Sequence, residues 1–380
     1  MIQEDTVERS RQPLVSVITP VYNCERYLAE CIESILAQTY RNWEYIIVNN
    51  CSTDLSLEIM EGYAKLDSRI HVHNNESFLP IMQNWNHALR QISPGSKYVK
   101  VVHADDWLFP ECLMKMVQVA EENPSVAIVG AYRIDDTRVN CDGLPYPSTV
   151  VPGKEICGRT LMEKLYVFGS PTTLLIRSSL IRGREKFYNE SNFHADTEVC
   201  FEILKDADFG YVHQVLSYTR RDSEAMTALA RRLNTYMPGH LYMLKKYGPV
   251  YLSTEEFGKR WEAKMRDYYR FLGKNVLSFR ERQFWEYHKK ALEAMECRLE
   301  RGRLAVVVLL EILDILLNPK STASRAFRGA VTMLRGRAKK MEVASPELMD
   351  AFAYPWKATA GVARRIIARL KGLKAYRWGQ

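Results

Sequence analysis

The sequence predicts an α/β protein: a doubly wound, mostly parallel sheet followed by a C-terminal helical extension. Three observations carry this. Short β-branched runs alternate with stretches of helical spacing between residues 14 and 102. Polar and acidic residues collect just after the strands, where open α/β sheets bind ligands. From about residue 225 the pattern changes to long amphipathic helices.

LVSVIT (14 to 19) alternates and is β-branched, so it reads as the first strand, and ERYLAECIESILAQ (25 to 38) as the first helix. WEYIIVNN is a second strand. It ends in CSTD, where Ser52, Thr53 or Asp54 can cap the helix LSLEIMEGYAKL. IHVHN (70 to 74) is a third strand, IMQNWNHALRQI a helix, and KYVKVV a fourth strand. The unit repeats as strand, helix, strand, which favours a parallel sheet covered on both faces. Beyond it, CDGLPYPSTVVPG reads as a loop, SPTTLLIR as a strand, HADTEVCFEILKDA as a helix and FGYVHQVLSYT as a strand. GHLYMLKKY and ERQFWEYHKKALEAMECRLE are amphipathic helices. LAVVVLLEILDILL (304 to 317) is shorter than the roughly 20 residues a spanning helix needs and is interrupted by Glu311 and Asp314, so it reads as a buried or interfacial helix.

The 380 residues are 47% hydrophobic, enough for one large core or a core with an appendage, which excludes a disordered chain. A formal charge of +8 favours an anionic partner and leaves open nucleic acid, phosphorylated metabolite or anionic lipid. The polar, partly acidic start MIQEDTVERSRQ lacks the pattern of a secretory signal, so the catalytic part is expected in the cytoplasm. Eight cysteines without CxxC or CxxH spacing argue against a zinc ribbon or a disulfide framework. They read as small core residues.

A dinucleotide site or a P-loop would need glycines after the first strand, yet none precedes Gly62. A nucleotide diphosphate at TPVYNC therefore needs another counter-charge. A hard divalent cation on carboxylate oxygen supplies it, and HADD (103 to 106) at a strand end suits one.

Together TPVYN, NNCSTD and HADDWLFP, in this order and ahead of an acidic helix start and an arginine-rich strand end, resemble the family 2 glycosyltransferases of GT-A fold over residues 13–225. The resemblance implies inverting, metal-dependent transfer of a sugar from a nucleotide-diphosphate donor, first of all a UDP-sugar, to a hydroxyl of a glycan or lipid-linked glycan. Mn²⁺ or Mg²⁺ is the implied cofactor. Pro20, Tyr22 and Asn23 match the turn that lies beside the nucleotide base. Asn49 and Asn50 stand where the family has Asp-Asp, whose second Asp reads uracil; Asn pairs with a pyrimidine edge as both donor and acceptor. The metal motif Asp-x-Asp-Asp is matched by His103, Ala104, Asp105 and Asp106, with Asp105 as the metal ligand and His103 replacing the leading Asp. His103 could hydrogen-bond ribose or phosphate, or stand behind the metal ligand. Asp54, Asn86, His103, Ala104 and Asp106 complete the expected donor-binding set. Asp196 matches the catalytic base, with Glu198 second in line, and one carboxylate base suffices for inverting transfer. Arg220 and Arg221 fall where a basic segment reaches the diphosphate.

Blander readings stand beside these. Asp105 and Asp106 could cap a helix near Pro110, Asn49 suits a turn, Asp196 suits the first turn of a helix, and Arg221 could pair with Asp222. His103 and His194 are lone histidines of the sort that are often structural, and Trp85 and Trp107 suit core packing as well as sugar stacking. Two other function classes compete: a noncatalytic nucleotide-sugar or glycan binding subunit, and a nucleotidyltransferase, against which the missing glycine-rich loop argues.

The organisation expected is an N-terminal tail (1–12), a glycosyltransferase domain (13–225), a helical region (226–300) and a basic amphipathic extension (301–380). In the extension, residues 356–380 carry Lys357, Arg364, Arg365, Arg369, Lys371, Lys374 and Arg377 with no acid, and apolar residues at helical spacing. Such a helix suits an anionic membrane surface, as a peripheral contact on the inner face, or a docked helix with its cationic side solvated. No nucleic-acid fold accompanies the charge, so nucleic acid is not expected as a partner.

Overall fold

The computed structural model describes residues 12–221, 230 and 232–318. The tail before residue 12 and the basic segment 356–380 lie outside the described residues. Residues up to Leu304 form one compact unit, and Ala305 onward a second.

The first unit is built on one sheet. Its strands are β1 (Val15–Val21), β2 (Trp43–Asn49), β3 (Ile70–Asn74), β4 (Tyr98–Val101), β5 (Trp107–Leu108), β6 (Val126–Asp135), β7 (Arg138–Asn140), β8 (Val150–Val151), β9 (Leu175–Arg177) and β10 (Asp208–Thr219). The main order is β3-β2-β1-β4-β9-β6-β10-β5, with β7 beside β6 and β8 beside β10. β1 to β4 pair in parallel. β9 lies antiparallel to both β4 and β6, and β6 and β10 are parallel. Six strands therefore point the same way, and their carboxyl ends gather the polar motifs on one edge.

The alternation expected between residues 14 and 102 is present, and SPTTLLIR is the segment that departs from its expected form. Pro171–Thr173 is a short 3-10 turn, boxed between Ser170 and Thr173, and only Leu175–Arg177 is strand. Pro171 has no N–H for a sheet ladder and presets a turn. Within the expected loop 141 to 153, β8 adds a two-residue strand.

Helices α1 (Glu25–Leu36), α2 (Ser56–Leu66), α3 (Ile81–Leu89), α4 (Cys112–Glu122), α5 (Gly153–Leu161), α6 (Ser178–Arg182) and α7 (Ala195–Ile203) cover the sheet. α1 buries Leu28, Cys31, Ile32 and Ile35, the one-face spacing that its sequence displays. Two apolar cores result, one on each side of the sheet. One joins α1 and α4 to β1 and β2, and the other joins α3, α5 and α7 to β4, β6 and β10. Beyond the sheet, α8 (Tyr236–Tyr251), α9 (Thr254–Leu277) and α10 (Arg282–Ala294) form the helical region, and α8 packs on α5, α9 and α10. The cysteines are free, and Cys31, Cys112, Cys141, Cys157 and Cys200 are buried, as small core residues should be.

Helix α11 (Arg301–Leu317), expected to be buried or interfacial, has no buried residue, which removes the first of the two alternatives. Leu309, Leu310 and Leu316 are more than half exposed. Among the described residues no helix is long and apolar enough to cross a membrane.

Candidate active site

At the end of β1 the chain turns through Asn23 with φ +49°, a left-handed conformation that Asn tolerates. The turn is cross-tied to the one after β2. The Asn23 side chain accepts the Thr53 amide at 2.8 Å, and the Ser52 hydroxyl accepts the Asn23 amide at 3.1 Å. Asp54 does not point outward as a ligand group. Its carboxylate accepts the amides of Glu25 and Ser56, both at 3.0 Å, so it fastens the starts of α1 and α2 together. Those bonds hold its carboxyl below the usual range, although burial pulls it up.

Asn50 is also engaged. Its side-chain oxygen accepts the Leu79 amide and the Asn75 side chain, both at 2.9 Å, while its amide nitrogen donates to the Leu79 carbonyl at 2.8 Å. One N–H is left for a ligand; the rest of the group anchors the segment before α3. Asn49 bonds Asn74 and the Ser52 amide, as a turn former does. Tyr22 is 51% exposed and meets Phe78, 54% exposed, edge-on with ring centroids 5.0 Å apart. Two large rings open to solvent at a strand end suit the face of a flat ring, and Phe78 is a residue that sequence reasoning missed. Pro20 is the last residue but one of β1, two positions before Tyr22.

The HADD segment divides its two acids. Asp106 is 3% exposed and saturated: Thr172 donates to it at 2.6 Å, Thr219 at 3.4 Å and the Arg220 amide at 3.0 Å. Burial pushes its carboxyl up to about 6, with the Asp105 charge adding and the His103 ring and hydrogen bonds opposing. Asp105 is half-buried, and among the described residues nothing hydrogen-bonds its carboxylate. Asp106 is thus the anchor of the turn and Asp105 the outward acid. His103 lies with Nδ1 3.7 Å from Asp106, its ring tilted on Trp85, and its Nε2 buried without a hydrogen-bond partner. Ala104 is buried between them. Ligand atoms of His103, Asp105 and Asp106 lie within 4.8 Å of one another. With Asp106 taken up by the fold, the outward Asp105 carboxylate is the accessible oxygen ligand for a hard divalent cation, and the unpartnered His103 ring lies beside it.

Arg220 and Arg221, adjacent on the chain, face opposite ways. Arg220 donates to the Asp105 carbonyl at 3.2 Å and to Glu30 at 2.7 Å, and lies 4.2 Å over the Tyr27 ring. Arg221 instead pairs with Asp135 at 2.8 Å and lines a cavity of about 570 Å³ together with Asp196. Asp135 also holds the buried Arg133 at 2.8 Å, and the two guanidiniums keep its carboxyl low against the pull of burial. Asp135 and Arg133, at the end of β6, were not anticipated; the strand-end rule that found HADD points to them equally well. The expected partner of Arg221, Asp222, lies outside the described residues.

Asp196 sits in the first turn of α7, half-buried, with its Oδ1 accepting the Thr197 amide at 2.8 Å. Its alternative as base, Glu198, is 1% exposed and fully engaged. It accepts from Asn189, Asn192, Tyr242 and Lys246, the last at 2.6 Å, and these bonds hold its carboxyl low although burial raises it. Glu198 therefore joins α7 to α8 and cannot accept a substrate proton without breaking that junction. Asn86 is likewise structural: it is buried, bonds both the amide and the carbonyl of Tyr188 at 2.8 Å, and so stands away from any ligand. His194 caps α7, bonds the Thr235 carbonyl at 3.1 Å, and presses its ring on Gly239, where an added Cβ would lie 2.3 Å away. Trp85 packs on His103 and Tyr188, and Trp107 on Tyr218.

The comparisons with known proteins agree with this geometry. A model described as glycosyl transferase family 2 matches residues 16–183. Glycosyltransferase GlyG of Streptococcus pneumoniae is 30% identical over 253 residues, 65% of this chain and 75% of GlyG. The putative glycosyltransferase EpsE of Bacillus subtilis is 28% identical over 250 residues, 61% of this chain and 87% of EpsE. Among solved structures, S. aureus TarS in complex with UDP-GlcNAc aligns with a TM-score of 0.54 at 21% identity, over 74% of this chain and 80% of that one, which is a likeness of fold. The mixed α/β sheet is thus the GT-A architecture that the sequence resemblance implied, and the nucleotidyltransferase alternative falls away. The chain belongs to glycosyl transferase family 2 and is a glycosyltransferase.

Proposed function

We propose that this glycosyltransferase is a metal-dependent, inverting enzyme that moves a sugar from a UDP-sugar to a hydroxyl of a glycan or lipid-linked glycan. The observation that carries the reading is the Arg220–Arg221 pair. One guanidinium is fixed beside Asp105 and the next lines the cavity that contains Asp196, so one strand end spans the two acids. Asp105 would hold a divalent cation, with His103 close behind, and the cation supplies Lewis-acid neutralisation of the diphosphate. Asp196, at the start of α7, takes the proton of the acceptor hydroxyl as that oxygen bonds the anomeric carbon and the bond from that carbon to the phosphate oxygen breaks, releasing nucleoside diphosphate. Tyr22 and Phe78 flank the base, and the remaining N–H of Asn50 reaches toward it. A UDP donor is further supported by the UDP-GlcNAc bound to TarS, which shares the fold.

The test is release of nucleoside diphosphate from UDP-, GDP- and dTDP-sugars, with and without Mn²⁺, using a membrane glycolipid extract as acceptor. Release from UDP-sugars alone, abolished by chelation and in Asp105→Ala, is the expected outcome. Metal-independent release overturns the role of Asp105.

The exposed apolar surface of α11 supports a peripheral membrane contact, with the basic residues 356–380 adding attraction to anionic lipid. Co-sedimentation with vesicles containing phosphatidylglycerol, but not with phosphatidylcholine alone, is expected. Equal sedimentation with neither sinks this part of the reading.

A further inference from the structure

We infer that the cavity beside Asp196 takes an amphiphilic acceptor, with a sugar ring at the mouth and an apolar aglycone on a floor to which helix α8 contributes. The inference rests on the reading of Asp196 as the base. Its starting point is the composition of the cavity wall. At about 570 Å³ the space is of small-molecule size. Six of its lining side chains, Leu161, Leu165, Phe168, Phe201, Met243 and Leu244, are at most 7% exposed and form the floor. Phe193, Tyr166 and Tyr236 are 39%, 48% and 47% exposed and stand at the mouth.

Four charged groups of the wall, Arg133, Arg221, Glu163 and Lys264, are held in ion pairs, while Asp142 and Lys164 add charge toward the rim. Arg133 and Arg221 share Asp135, and Glu163 holds both Lys264 and Arg260. A bare oligosaccharide lowered onto the floor would lose water from its hydroxyls and find carbon in return, which is unfavourable. An alkyl group there loses nothing and buries apolar surface. The aromatic rims suit a sugar, presenting apolar faces with wet edges. Asp196 lines the same cavity from the start of α7, so a hydroxyl on the ring at the mouth meets the base.

The wall also explains why the helical region matters to the chemistry. Tyr236, Gly239, His240, Met243 and Leu244 all come from α8, outside the sheet. α8 is thereby assigned a share in acceptor selection as well as in packing.

The experiment compares hexyl and methyl β-D-glycosides of glucose, galactose and N-acetylglucosamine, below micelle-forming concentration, by calorimetry and by the methyl resonance of Met243 in methionine-labelled protein. At least one hexyl glycoside is expected to bind tenfold or more tighter than its methyl partner and to shift the Met243 signal. Met243→Gln, which keeps the side-chain length, should reduce that preference to twofold or less while UDP-sugar binding stays unchanged. Tyr236→Ala, at the exposed mouth, should weaken both members of a pair and serves if Met243→Gln does not fold. Equal affinities of hexyl and methyl forms for all three sugars overturn the inference, as does a preference that survives in folded Met243→Gln. Sugar-nucleotide turnover is read separately. Turnover without a hexyl preference overturns this inference alone, whereas a preference with no turnover of any sugar nucleotide overturns the transferase chemistry and the acceptor role with it.

Discussion

The two sides of the candidate site are built in different ways. Around Asp105 the groups come from turns at neighbouring parallel strand ends, cross-tied by short hydrogen bonds such as Asn23 to Thr53 and Asp54 to Glu25. Around Asp196 they come from β6, α5, α7, α8 and Arg221 just past β10, segments spread over more than 100 residues of sequence. On the proposed reading, such an enzyme can keep the sheet edge that faces the nucleotide while changing what it glycosylates. The first side depends on the sheet, and the second depends on helices packed against it.

The sharpest way to break this comparison is at the proposed base. Asp196→Asn should lower kcat by about 10² to 10⁴ while donor affinity holds, since general-base catalysis contributes on that order; a donor affinity that falls in step would merge the two sides. A second contrast lies between adjacent acids. Asp106→Ala strands three donors in a buried site and should cost about 3 kcal/mol of stability, whereas Asp105→Ala should leave the urea midpoint unchanged. Similar losses in both would mean that Asp105 is also structural.

Acid should open the helical side first. His288 is 1% exposed, bonded to Tyr268 and to the Leu233 carbonyl, and burial pushes its imidazole down to about 4. The folded form thus binds the proton less readily than the unfolded chain. The stabilisation is complete above the ordinary pKa near 6.5 and is lost as pH falls through 4, amounting to roughly 3 kcal/mol. Hydrogen exchange at pH 4 should show α8 to α10 losing protection ahead of β1 to β4, and His288→Gln should flatten the dependence. Uniform loss across the sheet and the helices would contradict the division.

Gly239→Ala probes the contact between the two builds. Its Cβ would meet the His194 ring at 2.3 Å, displacing the start of α7 and Asp196 with it. A cost of about 1 to 3 kcal/mol is expected, with recovery when His194→Ala is added; a double variant no better than the single would place the strain elsewhere. The smallest effect belongs to the sheet. Lys100 is fully buried against Met116, and burial lowers its pKa. Lys100→Met should raise stability by about 1 to 2 kcal/mol at neutral pH, read as a higher melting temperature.

Much of the sheet side was legible, because periods of two and 3.6 and strand-end motifs are local signals. What stayed hidden was which polar groups the fold consumes. Asp106 meets Thr172 and Thr219, which lie 66 and 113 positions away, and Asn86 meets Tyr188 across 102 positions. Nothing local marks those partnerships, so a motif alone cannot tell an anchoring acid from an outward one. Asn50, expected to pair with a pyrimidine edge as donor and acceptor, is mostly taken by Leu79 and Asn75. Glu198, next to the proposed base by two residues, is absorbed by the junction with α8. The cavity floor escaped altogether because its members are ordinary core residues until the helices leave a gap between them.

The opposed arginines carry one more consequence, concerning insertions and deletions. Both lie just past the end of β10 at Thr219, so the length of that strand decides which guanidinium serves which side. β10 already departs from even pairing with β6 near Val212 and Val215. Removing one residue from 213 to 216 would draw Arg221 toward the place of Arg220 and take a guanidinium from the wall that Asp196 also lines. A single deletion there would change the charge beside the proposed base without substituting any residue of the candidate site, so the length of this strand matters to the site as much as its side chains.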